Sequence, residues 1–221
     1  MTADSRAAAP GMSRGSTLPS TAQGRRTRAA IVDAAAALVY QRGVAASTLD
    51  DILAESGAGK SQLYHYFDDK ADLIVAVISR QIELILLAQP LIFEIQSIEG
   101  LQAWADAIVA VHAGPRGPFS CPLGTMAAEL KNDPSYRPAL ADAFAKWQQP
   151  LCDGLERMRQ RGSLRPDDDP SRLAAALLGA LQGGMLLARV ADDVTVLRDT
   201  LQSAVDDVRR RVQHATASGL G

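Results

Sequence analysis

Between Gly57 and Lys70 the chain places Lys60, Ser61, Gln62, Tyr64, His65 and Tyr66 within seven residues. A cation, two phenols, an imidazole, an amide and a hydroxyl on so short a segment make a surface rich in hydrogen-bonding groups. Phosphate oxygens and base edges are the partners that suit such a surface. Leu63 and Phe67 are interleaved where a short helix would turn them inward. The same letters allow a second chemistry. Ala54-Glu55-Ser56-Gly57-Ala58-Gly59-Lys60-Ser61 satisfies a loose phosphate-loop pattern, with Ala in the first glycine position. Such a loop wraps a phosphate between a strand and a helix. Here Leu49 to Glu55 are helical in period and capped, and nothing in the chain suggests a parallel sheet, which speaks against nucleotide hydrolysis.

Other reactive residues are sparse. His65, His112 and His214 lie far apart, and Asp167-Asp168-Asp169 reads better as a helix start than as a cation site. No metal and no cofactor are expected. Cys121 follows His112 closely enough to suggest a thiol nucleophile, but a small buried cysteine is the commoner role. No catalytic residue is assigned, and the chain does not read as an enzyme. Cys121 and Cys152 form no disulfide framework, and no secretory segment opens the chain, so the reading is cytoplasmic. The most apolar stretch, Leu173 to Ala188, runs 16 residues between Arg172 and Arg189 and contains Gln182. A bilayer core needs about 20 apolar residues, so this stretch reads as a buried helix and no membrane partner is expected.

The elements that must position these groups are helical. Hydrophobic residues make up 47% of the chain and aromatics only 5%, alanine and leucine dominate, and no alternating apolar pattern builds a sheet. The class is all-α, with about nine helices. Residues 1–23, rich in Ala, Ser, Thr, Gly and Pro, read as a disordered arm. A helix starts near Gly24, buries Ile31, Ala35, Leu38 and Val39, and stops at Gly43. A second opens at Thr48 with a capping box to Asp51 and ends at Ser56-Gly57, and a third spans about Lys60 to Tyr66. A fourth runs from Lys70 towards Pro90. Further helices are predicted at about 99–113, 122–132, 135–161, 171–190 and 193–214. Asp133-Pro134 and Asp169-Pro170 signal helix starts, Gly114 to Pro118 form a loop, and Pro150 should kink its helix.

The net charge of −2 is unevenly spread. Seven cations against five carboxylates leave residues 1–67 at +2, while sixteen against twenty leave the rest at −4. A basic end on an acidic body suits contact with a polyanion through one end.

The segment Gly57-Ala-Gly-Lys-Ser-Gln-Leu-Tyr-His-Tyr-Phe-Asp-Asp-Lys-Ala-Asp-Leu73 resembles the recognition-helix signature of the TetR/AcrR family of one-component regulators. The resemblance extends over residues 25 to about 78. It implies a helix-turn-helix over 24–69 that binds double-stranded operator DNA. Thr48, Tyr64 and Lys70 would contact phosphates, and the face around Lys60, Ser61, Gln62, His65 and Tyr66 would read bases. Arg25, Arg26 and Arg28 are expected to add phosphate or minor-groove contacts ahead of the first helix. One departure is Gly59, where the family usually has Ser or Thr as a cap, at a cost of about 0.5 kcal/mol or less.

Downstream, Cys121-Pro-Leu-Gly124, Met126, Glu129-Leu130 and Asp133-Pro134 are similar to the sensor domain of the drug-responsive LmrA-like branch. The resemblance implies an effector-binding and dimerisation domain over 70–214, followed by a flexible tail at 215–221. The last two helices of each subunit would make a four-helix homodimer interface, with Gly179, Gly183 and Gly184 allowing close approach and Leu177, Leu181 and Leu186 supplying apolar area. Trp104, His112, Phe119, Cys121, Met126, Phe144, Trp147 and Met185 are the candidate ligand contacts, because Met and aromatic side chains line adaptable apolar cavities. The expected function is a repressor released from its operator by a small lipophilic or aromatic ligand.

Overall fold

Alanines, which lose no side-chain entropy in a helix, start the fold. The first helix, α1 (Ala22–Arg42), places Ile31, Val32, Ala35, Leu38 and Val39 in the core. Thr21 caps it by accepting the Gly24 amide at 3.0 Å. The helix therefore starts two residues before the expected Gly24. Arg25, Arg26 and Arg28 lie within it, not ahead of it, because a hydroxyl that fits the cap precedes them. In this computed structural model the described residues are 19–115, 117 and 119–212. Most of the arm expected over 1–23, the tail 215–221, His214 and two residues of the 114–118 loop lie outside them.

α2 (Leu49–Ser56) and α3 (Lys60–Tyr66) follow, then α4 (Lys70–Leu87), α5 (Ile98–His112), α6 (Pro122–Glu129), α7 (Arg137–Gln160), α8 (Pro170–Ala191) and α9 (Val194–Arg211). The described residues thus form nine α-helices and two short 3-10 turns, with no strand. The fold is all-α. Polar caps define most of the starts: Asp69, Ser97, Asp169 and Asp193 each accept an amide of the following turn. Asp133 caps a 3-10 turn, Pro134–Tyr136, which leads into α7. Pro150 sits buried inside α7, and the helix continues through it.

α4 packs on both α1 and α7 and so joins the two ends of the molecule. The Gln81 amide donates to the Ala36 carbonyl at 2.9 Å across a buried contact, and Arg80 bridges to Asp33 at 2.6 Å. The apolar side chains of the N-terminal helices and of the larger C-terminal bundle merge into one continuous core. At the far end, α8 lies against α7 and α9. With 22 residues it is longer than the 16-residue apolar run read from sequence, and it is long and apolar enough to cross a membrane by length and composition. Its inward residues Leu173, Ala174, Leu177, Leu181 and Ala188 belong to the core of the protein.

Candidate DNA-binding face and effector cavity

Two anchors orient α3. Leu63 and Phe67 are each 1% exposed, and burying two such side chains holds the helix down by about 1.5–3 kcal/mol apiece. The opposite face then carries Lys60, Ser61, Gln62, Tyr64 and His65 outward. Tyr64, at 50% exposure, is a large aromatic ring on the surface with a free edge. α2 ends on Gly57, whose φ of 66° is the left-handed conformation that favours glycine. No strand leads into Gly59 here. Leu49 to Ser56 are helical, so the phosphate-loop reading has no strand to hang from.

Several residues assigned to DNA are also tied to the protein. Thr48 accepts the Asp51 amide at 3.1 Å and donates to the Asp51 carboxylate at 2.7 Å. That hydroxyl bond is the first cause holding the Asp51 carboxyl below its ordinary range. Gln62 Oε1 accepts the Gly59 amide at 2.8 Å. The glutamine thus provides half a cap from within the helix and offsets the missing Ser or Thr. Lys70 donates to the Val44 carbonyl at 3.1 Å. Arg28 stacks over the Phe67 ring at 5.0 Å, Arg25 donates to the Ser20 carbonyl at 2.7 Å, and Arg26 donates to Gln23. Tyr66, expected on the base-reading face, is less accessible than Tyr64 and His65. It is half-buried, and its hydroxyl lies 3.4 Å from where a side chain at Gly24 would begin.

A cavity of about 410 Å³ opens among α4, α5 and the loop before α6. Trp104, His112, Phe119 and Met185 line it, joined by Gln89 and by Tyr40 of α1. Phe119 folds back so that its amide donates to His112 Nδ1 at 3.1 Å, with the two rings edge to face at 5.6 Å. That return requires glycine at 117, since a Cβ there would lie 1.9 Å from the His112 carbonyl oxygen. Burial lowers the His112 pKa and keeps the ring neutral.

Of the other candidate contacts, Trp147 is buried behind the cavity wall, Phe144 stacks on it at 6.5 Å, and Met126 sits in the core. None of the three lines this cavity, and neither does Pro150: α7 turns Phe144, Trp147 and Pro150 towards other parts of the bundle, and α6 buries Met126 in the core. Cys121 lines a separate hollow of about 470 Å³ between α6 and α8, with Met185 in the wall of both. Burial pushes the Cys121 thiol up, which leaves it protonated and weakly nucleophilic.

The α8 residues divide. Leu177 and Leu181 are buried within the chain, so the apolar area expected from them at an interface belongs to the internal core. Gly184 faces α9, where a Cβ would sit 3.0 Å from Leu197. Gly179 and Gly183 face open space, in line with exposed Leu186, Leu187 and Val190. Three positions at these candidate sites escaped the sequence reading. Tyr40 and Gln89 carry no local motif, and Glu129, read only as part of a family pattern, accepts the Val44 amide 85 residues away.

Comparison with known proteins agrees with this layout. Residues 31–77 match the family described as bacterial regulatory proteins, tetR family. Residues 97–204 match the tetracyclin repressor-like C-terminal domain. An uncharacterized HTH-type transcriptional regulator in the lacX 3′ region of Lactococcus lactis subsp. lactis is 30% identical, over 83% of this chain and 95% of its own. The HTH-type transcriptional regulator LmrA of Bacillus subtilis (strain 168) is 28% identical, over 84% and 97%. Among solved structures, a TetR transcriptional regulator from Chloroflexus aurantiacus J-10-FL superposes with a TM-score of 0.71 at 23% identity, over 88% of this chain and 100% of that one. Reduced E. coli NemR gives 0.71 at 21%, over 86% and 99%. The Lactococcus, Bacillus and Chloroflexus proteins are transcriptional regulators by name.

Proposed function

The chain belongs to the TetR family of transcriptional regulators, and from that premise we propose that it is a cytoplasmic homodimeric repressor released from its operator by a small lipophilic or aromatic ligand. Residues 24–69 are the helix-turn-helix domain and 70–214 the effector and dimerisation domain. Lys60, Ser61 and His65 read base edges, while Tyr64 contacts the phosphate backbone, aided by Thr48, Lys70 and the α1 arginines. In the dimer the exposed edge of α8 around Gly179, Gly183 and Leu186 meets its copy. The two α3 helices then lie about 34–36 Å apart or somewhat more, so that both enter the major groove on one face of the duplex.

One observation carries the coupling. The cavity wall includes Tyr40 of α1, and α6, which starts at the cavity's edge with Pro122, ends on Glu129, bonded to the turn after α1. A ligand that favours a different placement of either element changes the relation of α3 to its copy across the dimer. Differential affinity of ligand and DNA for the two arrangements is what release requires.

The test is a gel-shift titration of the intact protein on DNA flanking its own coding region, with and without small aromatic compounds. A retarded band at physiological salt, lost on adding a compound that binds the cavity, is the expected result. Failure to shift any such fragment at low salt would remove the operator reading.

A further inference from the structure

Two of the cavity's polar groups have fixed directions. Trp104 and Trp147 both aim their indole N–H at one atom of the Gln89 side chain, at 3.3 and 3.4 Å. An indole nitrogen only donates, so the atom they share is the carbonyl oxygen. The amide hydrogens of Gln89, a residue of the cavity wall, meet no acceptor among the described residues. His112 is fixed in the same way. Its Nδ1 accepts the Phe119 amide, so the proton of the neutral ring sits on Nε2, a donor with no protein acceptor. Tyr40 and Ser120 add hydroxyls that turn either way. Among the described residues no carboxylate, lysine or arginine lines this space.

We propose that the cavity selects neutral, largely apolar molecules carrying carbonyl-type acceptor oxygens, and rejects cationic amphiphiles. The inference deepens the sensor-cavity reading above and rests on it. An acceptor oxygen bound beside Gln89 or His112 satisfies a donor that would otherwise remain unpaired. Leaving such donors unpaired on binding is what penalises a pure hydrocarbon. An ammonium group loses its water and finds no carboxylate. The rings of Trp104 and Phe119 attract cations, but the positive ends of two N–H dipoles occupy the same space. A carboxylate would find donors but, among the described residues, no cation to pair with.

Three isosteric probes separate these cases by equilibrium dialysis against the intact protein: 2-acetonaphthone, 2-isopropylnaphthalene and 1-(2-naphthyl)ethylammonium. The ketone should bind roughly tenfold tighter than either of the others, the scale of one or two well-placed hydrogen bonds. Equal affinity for ketone and hydrocarbon overturns the acceptor selection, and tighter binding of the ammonium probe overturns the rejection of cations. No binding by any of the three removes the sensor cavity itself. Gln89→Leu and His112→Phe should bring the ketone down to the level of the hydrocarbon while leaving the hydrocarbon unchanged. A parallel fall of both probes would assign these residues to cavity shape alone. The comparison on the unmodified protein stands even where a variant fails to fold.

Discussion

Glu129 Oε2 lies 2.7 Å from the amide nitrogen of Val44 and 3.3 Å from that of Ala45. Lys70 holds the Val44 carbonyl at 3.1 Å from the other side. The turn between α1 and α2 is therefore clasped by a carboxylate from the end of α6 and an ammonium from the start of α4. Charge-assisted bonds of this kind are shorter and stronger than neutral ones. They tie the turn to helices that also line the cavity holding Gln89 and His112.

Gly43 makes the clasp possible, and its replacement should break it. Its φ of 84° favours glycine, and a Cβ there would begin 2.6 Å from Glu129 Oε1. Gly43→Ala should cost about 1–3 kcal/mol, combining backbone strain with displacement of the carboxylate. Urea denaturation measures the loss. Adding Glu129→Ala to that background should cost less than Glu129→Ala alone, because the clash and the bond share one partner. Strict additivity of the two changes would mean that they act independently.

How much of this was open to reading in advance depends on the range of each signal. The anchors Leu63 and Phe67, the Thr48–Asp51 box and the Asp169–Pro170 start depend on neighbours within a turn or two, and period and capping chemistry reveal them. The clasp joins residues 85 apart in sequence, and the Trp104–Gln89–Trp147 arrangement joins three elements, so no local pattern encodes either. Periodicity also shows that α8 is apolar without showing which residues its own chain covers. Leu181 and Leu186 look alike in sequence, yet one is buried and the other is 65% exposed. Tyr64 and Tyr66 differ in the same way, because a two-residue step turns a helical side chain to another face.

That difference can be measured. If Tyr64 contacts phosphate as proposed, Tyr64→Ala should weaken binding to every DNA sequence about equally and leave the melting temperature nearly unchanged, since the ring is exposed. Tyr66→Ala should lower stability by about 1–2 kcal/mol, because the ring packs against the start of α1. Lys60→Ala should alter which sequence is preferred. Gel-shift titrations and thermal melts on the same three variants separate these roles. A Tyr64→Ala protein with full operator affinity would remove the phosphate contact.

His112 should leave a mark on acid stability. Burial holds its pKa below the ordinary imidazole value in the folded protein, so the unfolded chain takes up the proton first. Its contribution is fully present above about pH 6.5 and is lost as pH falls from there through the folded value. His112→Gln removes this component, so its stability should fall less steeply across that window. Asp51, whose folded pKa is also depressed, acts lower on the scale and should be unaffected by the change. Parallel stability curves for variant and parent between pH 7 and 5 would contradict a buried neutral ring.

Gly183 provides a test in which two accounts predict opposite signs. Nothing in the protein lies within 4 Å of a Cβ placed there, and a mid-helix glycine costs about 1 kcal/mol relative to a good helix former. If α8 faced only water at this point, Gly183→Leu would stabilise the protein. If the face meets its copy at close range, as proposed, the added side chain crowds the seam and the dimer dissociates, despite the better helix. Gly184→Ala is the control. Its Cβ would press on Leu197 of the same chain at 3.0 Å, so it should lower stability in any oligomeric state. Sedimentation velocity of Gly183→Leu at micromolar concentration decides between the accounts. A monomer with raised helix content supports the seam, and an intact dimer moves the interface off this face of α8.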